Sequence, residues 1–126
     1  MSELIQGWLD FWNGELDLAE KIVHEDFVWH VAPLTGGPSQ DHSGREGLVE
    51  WVRGSHQNMP GLKFTVEVGP ISQEPFHVVR WLAEAGAVSF HGTDILRVVD
   101  GRIAEYWLNA DGLWAAQQLG IMPKLS

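Results

Sequence analysis

The chain has 126 residues, and its 8 Lys and Arg against 17 Asp and Glu leave a formal charge of −9 with the histidines neutral. Clustered basic side chains are what hold a phosphate backbone or an anionic membrane, so a chain this acidic is expected to bind neither nucleic acid nor membrane. No cysteine is present, which excludes disulfides, thiolate metal sites and a Cys nucleophile, and the length predicts one domain over residues 1–126.

The first 21 residues carry Glu3, Asp10, Glu15, Asp17 and Glu20, with no basic segment leading into an apolar run. That is not the pattern of a secretory signal, and a cytoplasmic location is expected. Leu4, Ile5, Trp8, Leu9 and Trp12 recur at helical spacing, which predicts a first helix ended by Asn13-Gly14. Asp17 and Glu20 form a capping-box pattern ahead of Leu18, Ile22 and Val23, so a short second helix is expected to stop by Glu25-Asp26. Phe27 to Val31 is aromatic and β-branched and reads as a strand. Ala32 to Gly44 has no apolar period and reads as a loop over a site. Ser43 and Glu46 repeat the capping box, and Leu48, Val49, Val52 and Met59, with His56 on the same side, predict a third helix.

From Leu62 the period becomes two: Leu62, Phe64, Val66 and Val68 alternate with polar residues, and strands over Phe76 to Ala83, Val88 to Val99 and Arg102 to Leu108 follow as an antiparallel meander. Asp111 is expected to cap a closing helix that Gly120 and Pro123 terminate. Helices and strands are segregated, which predicts an α+β fold with a curved sheet wrapped on its helices.

The turn at Asp100-Gly101 decides which residues share a face. A three-residue loop with Gly101 as a bulge pairs Val98 with Arg102 and gathers Leu96, Val98, Ala104, Tyr106 and Leu108 on one apolar side. Asp94 then falls on that side, opposite Tyr106. A carboxylate there loses water, so it must find hydrogen-bond donors or raise its pKa. Both a catalytic and a purely structural reading of Asp94 stay open. His30 is the second catalytic candidate, a proton carrier if it enters a pocket, or a strand histidine bonded to a backbone carbonyl. Trp29, Trp51, His56, Trp81, Tyr106 and Leu108 are the expected pocket residues. Arg97 and Glu105, on the mixed face, suggest a cross-strand ion pair or a subunit contact. The six histidines show no paired spacing for a metal, Gly36-Gly37-Pro38 lacks the context of a phosphate loop, and no Gly-x-Ser-x-Gly elbow exists. No metal or cofactor is expected.

The order of elements, the Trp29-His30 strand, and the run Gly92-Thr93-Asp94-Ile95-Leu96-Arg97-Val98 through Asp100-Gly101-Arg102-Ile103-Ala104-Glu105-Tyr106-Trp107 resemble the SnoaL-like branch of the nuclear-transport-factor-2-like superfamily. The likeness extends to Asp111 and Gln118-Leu119-Gly120. It implies a cone-shaped barrel with a deep apolar pocket, often a homodimer packed through its sheets. It also implies acid/base chemistry on a small hydrophobic carbonyl compound: enolisation, isomerisation or aldol cyclisation. Asp94 stands where related isomerases place a protonated Asp donor and cyclases a pocket histidine. Leu108 stands where the cyclases have their essential acid, and Val31 or His30 falls near the isomerases' base. Two alternatives are a pocket protein that binds without catalysis and an epoxide hydrolase, although no Asp-Arg-Asp cluster assembles on the apolar face.

Overall fold

A computed structural model describes residues 3–33 and 37–123. The elements run α1 (Glu3–Trp12), a 3-10 turn (Leu16–Leu18), α2 (Ala19–Ile22), β1 (Val23–Val31), β2 (Gln40–Ser43), α3 (Arg45–Asn58), β3 (Lys63–Gln73), β4 (Phe76–Ala85), β5 (Val88–Val99), β6 (Arg102–Ala110) and α4 (Gly112–Gln118). One curved sheet orders its strands β2-β1-β6-β5-β4-β3. Every neighbouring pair is antiparallel except β1 with β6, which is parallel. Among the described residues the sheet does not close: β2 and β3 are its edges, so the barrel is open on one side.

The apolar stripe of α1 explains where the core sits. Ile5, Trp8 and Phe11 are buried against Phe27 of β1, Leu96 of β5, and Ile103 and Tyr106 of β6, all on the concave face. On the convex face the same alternation leaves Val68, Ile71, Phe76 and Ile95 exposed.

Local signals were overridden where a ladder offered a better partner. Residues 23–26 join β1 instead of extending α2, which stops at Ile22 with Val23 already extended. Part of the expected loop over residues 32–44 is the edge strand β2, in which Ser43 pairs with Val28; residues 34–36, Gly36 included, lie outside the described residues. With Ser43 in the ladder, α3 starts at Arg45 after Gly44 (φ 98°) without a side-chain cap. Neither Asp17 nor Asp111 caps through its side chain; Asp111 Oδ2 instead accepts from the His91 backbone N–H at 3.3 Å.

The β5–β6 turn corrects the expected loop. Val99 pairs with Arg102 and Val98 with Ile103, so the loop has two residues, Asp100 and Gly101, with φ of 52° and 75°. Two left-handed residues make the turn whose twist matches a hairpin, and Asp-Gly is a sequence suited to it. Ala104 is then an extra residue on β6, because the next pair is Arg97 with Glu105. That bulge restores the expected parity beyond it. Ile103, expected on the mixed face, is buried. Asp94 is on the apolar face as expected, but its register partner is Leu108, and Tyr106 pairs with Leu96.

Candidate active site

The concave face, α1, α3 and the start of α4 enclose a cavity of about 330 Å³. Trp8 and Trp12 from α1, Trp51 from α3, Phe64 from β3, Trp81 from β4, and Tyr106 and Leu108 from β6 form much of its wall. Among the described residues Asp94 is the acidic group in that wall, and no Lys, Arg or His lines it.

Three donors hold the Asp94 carboxylate. Trp81 Nε1–H and the Tyr106 hydroxyl donate to Oδ1 at 2.8 and 3.0 Å, and Trp8 Nε1–H donates to Oδ2 at 3.0 Å. Burial pushes the Asp94 pKa up to about 6, against the pull of these three hydrogen bonds. Burial, and then the charge of Asp94, push the Tyr106 phenol well above its usual value, so it stays protonated and able to donate. An indole N–H can only donate. Two of the three partners therefore suit an ionised Asp94 and cannot accept a proton from a neutral one.

The backbone makes room for this arrangement. Trp81 pairs with Gly92, and a Cβ at residue 92 would stand 2.1 Å from Trp81 Cζ2. Only a residue without a side chain lets the indole cross β5 to reach Asp94. Trp12 also lines the cavity, and its buried Nε1 has no hydrogen-bond partner among the described residues.

The structure brings Asp94, Trp51, Trp81, Tyr106 and Leu108 together at the cavity, and leaves His30, Trp29 and His56 out of its wall. His30 pairs in register with Trp107 on the convex face and stacks on its ring at 5.4 Å. Its Nδ1 meets Asp41 Oδ1 and its Nε2 meets Glu105 Oε2, both at 2.6 Å. The alternation that turns Trp29 inward turns His30 outward, so it is neither a pocket imidazole nor a ring bonded to a carbonyl. The Asp41 hydrogen bond is the largest influence on its pKa, which lies above 6.5. Glu105 also pairs across the strands with Arg97, 2.9 Å from its Nε, as expected. Trp29 is buried, stacked between Phe27 and His42. His56 Nε2–H donates to the Trp12 carbonyl at 2.7 Å.

Trp8 and Trp12 are the site residues that helical periodicity alone assigns to packing. The excess of indoles, seven in 126 residues, was the signal: a buried carboxylate needs donors, and indole supplies one from an otherwise apolar surface.

The sequence matches the family model of the SnoaL-like domain over residues 5–106, and the chain belongs to that family. Its fold is that of the NTF2-like SnoaL proteins. IdmH, a proposed polyketide cyclase from Streptomyces antibioticus, is 22% identical with a TM-score of 0.75, over 94% of this chain and 96% of that one. A proposed polyketide cyclase from Bacillus cereus is 29% identical with a TM-score of 0.77, over 94% and 79%. A proposed SnoaL-like polyketide cyclase from Jannaschia is 15% identical with a TM-score of 0.80, over 96% and 92%. A search of curated proteins gives no match. Among the described residues no helix is long and apolar enough to cross a membrane.

Proposed function

We propose that this protein is an acid/base enzyme of SnoaL type that enolises a small hydrophobic carbonyl compound, with Asp94 as the proton acceptor. The observation that carries the reading is an ionisable carboxylate fixed by three donors on the wall of an otherwise apolar cavity. The names of the structural relatives, proposed polyketide cyclases, agree with an acid/base enzyme. A pKa near 6 leaves Asp94 mostly ionised at neutral pH yet basic enough to take a proton, the compromise that general-base catalysis requires.

In this reading the ligand's acidic C–H meets the Asp94 carboxylate, and the proton moves to the free lone pair of Oδ2. The C–H electron pair moves into the carbonyl, giving an enolate oxygen. A ligand oxygen that reached Trp12 Nε1–H would give that group the partner it lacks. Returning the proton to another carbon of the conjugated system completes an isomerisation. Leu108, facing Asp94 across the β5–β6 ladder, supplies no second acid, so proton transfer is favoured over aldol closure. In this reading the roles expected of both candidates change: Asp94 accepts a proton instead of donating one, and His30, on the convex face, takes no part.

The natural substrate need not be identified for the test. Hydrophobic ketones and enones, one and two rings in size, are incubated with the protein in D2O, and deuterium entry beside the carbonyl is followed by NMR. Catalysed exchange should fall about 100-fold or more in Asp94→Asn, while binding, read by indole fluorescence, changes little. Exchange that survives the substitution would remove Asp94 from the chemistry. Ketones that bind without any exchange would leave a binding protein.

A further inference from the structure

Among the described residues no cation lines the cavity to balance the Asp94 carboxylate. Asp94 takes part in no ion pair among the described residues, and its facing groups are Trp8 on α1, Trp81 on β4 and Tyr106 on β6, of which only the phenol titrates. Its three donors are neutral. They fill three of about four lone-pair directions on a carboxylate, and Oδ2 retains one of them. Water would ordinarily complete the shell, but apart from Ser55, whose hydroxyl donates to the Trp51 carbonyl, and the Tyr106 phenol that already donates to Asp94, the surrounding wall is largely indole, phenyl and aliphatic carbon. A carboxylate so placed attracts a cation more strongly than the same group at a surface, because the wall screens the field poorly. Aromatic walls also tolerate positive charge better than aliphatic ones, and Trp12, Trp51 and Phe64 sit together there, with Trp12 edge-on to Trp51 at 5.1 Å and to Phe64 at 5.5 Å. The chain's net charge of −9 favours the approach of cations and opposes that of anions.

We infer that the cavity selects a hydrophobic ligand carrying a protonated amine, which Asp94 receives as counter-ion, and rejects hydrophobic carboxylates. The inference takes from the proposed function only the place of the ligand beside Asp94; it concerns the ligand's charge and not the reaction. A natural substrate would then be an amino ketone or a similar base on a hydrophobic frame. The ammonium would lie against the aromatic wall within the field of the carboxylate, leaving the free lone pair of Oδ2 to the acidic C–H.

Three probes of matched size test this: 3-phenylpropylamine, 3-phenylpropan-1-ol and 3-phenylpropionate, titrated against indole fluorescence and by calorimetry at pH 8 and pH 5.5. At pH 8 the amine should bind at least about tenfold more tightly than the alcohol, a difference worth about 1.4 kcal/mol, and the carboxylate most weakly. At pH 5.5, where Asp94 is mostly protonated, the amine's advantage should shrink. In Asp94→Asn the amine should bind no more tightly than the alcohol. An amine no tighter than the alcohol at pH 8, or an advantage undiminished at pH 5.5, overturns the inference on the native chain even if the variant folds poorly. Ketone exchange without amine preference refutes the charge selection and leaves the enzyme reading standing. Amine preference without exchange does the reverse.

Discussion

Asp94→Asn should alter how stability depends on pH more than it alters stability at neutral pH. The native carboxyl titrates at about 6 and the solvated one at 3.8. Below 3.8 both states hold the proton. Between 3.8 and 6 the unfolded chain releases it while the native chain keeps it, so the native state binds more protons and stability falls as pH rises. The stabilisation is complete at low pH and gone above about 6. A shift of roughly two units corresponds to about 3 kcal/mol in total, of which about 2 kcal/mol falls between pH 4 and pH 8. Asparagine carries no such titration. It has its own cost, because an amide that accepts from Trp81 and Tyr106 turns its NH2 toward Trp8 Nε1–H. A protonated Asp94 can still accept from Trp8 through Oδ2, whereas the NH2 cannot. Leaving that donor unmet costs about 1–3 kcal/mol. The variant should therefore be the less stable protein at pH 4, by about that amount, and the gap should close by about 2 kcal/mol at pH 8. Urea unfolding of both proteins at both pH values measures it, since subtracting one from the other removes the titrations they share. A gap that stays constant from pH 4 to pH 8 would show that Asp94 is not held at a raised pKa, and the base assignment would lose its support.

Gly92→Ala places a methyl 2.1 Å from Trp81 Cζ2; over-packing of this kind costs about 1–3 kcal/mol. A lower urea midpoint is expected, partly recovered by adding Trp81→Leu, and an unchanged midpoint would mean that Trp81 does not need the gap. The His30 ring should titrate above 6.5, chiefly because of Asp41, so its stabilising contribution is present below 6.5 and fades as pH rises through the raised value. Proton NMR of the imidazole should show this and a fall in Asp41→Asn; titration at or below 6.5 in the native chain would contradict the two-carboxylate contact. The homodimer implied by the family resemblance is expected to cover the convex face, where Phe76 and Ile95 are exposed. Ile95→Asp should then give the monomer in sedimentation velocity, and assembly unaffected by it would exclude that face.

The elements that sequence made legible are those whose pattern and tertiary role coincide. The stripe of α1 and the alternation of β3 and β5 point the same residues inward whether one reads spacing or contacts. The misread segments are those where a long-range partner outweighed a local signal. Ser43 has the chemistry of a helix cap, yet Val28 recruits it into β2. Residues 23–26 continue a helical pattern, yet β6 draws Val23 into a parallel pair with Ile103. The site was legible in its carboxylate, because an Asp among Gly92, Leu96 and Tyr106 is conspicuous in sequence. Its donors were not, because indoles on a helix stripe look the same whether they pack or donate. His30 was misplaced because a single strand segment with apolar residues on both faces does not say which face is the core.

Strand β6 ties the two sides of the sheet together. Tyr106 and Leu108 face the cavity while Glu105 and Trp107 face outward, and the Ala104 bulge sets that choice. Without the extra residue, the two-residue turn would carry Glu105 and Trp107 inward, putting a second carboxylate near Asp94 and turning the Tyr106 hydroxyl away from it. On the convex face, Glu105 is held by both His30 and Arg97, contacts that only the observed register allows. The ionic cluster thus opposes slippage of the strand that carries an Asp94 donor, and it does so from the opposite face of the sheet. Disrupting it should loosen Tyr106 before it disturbs Trp8 or Trp81, whose hydrogen bonds to Asp94 come from α1 and β4.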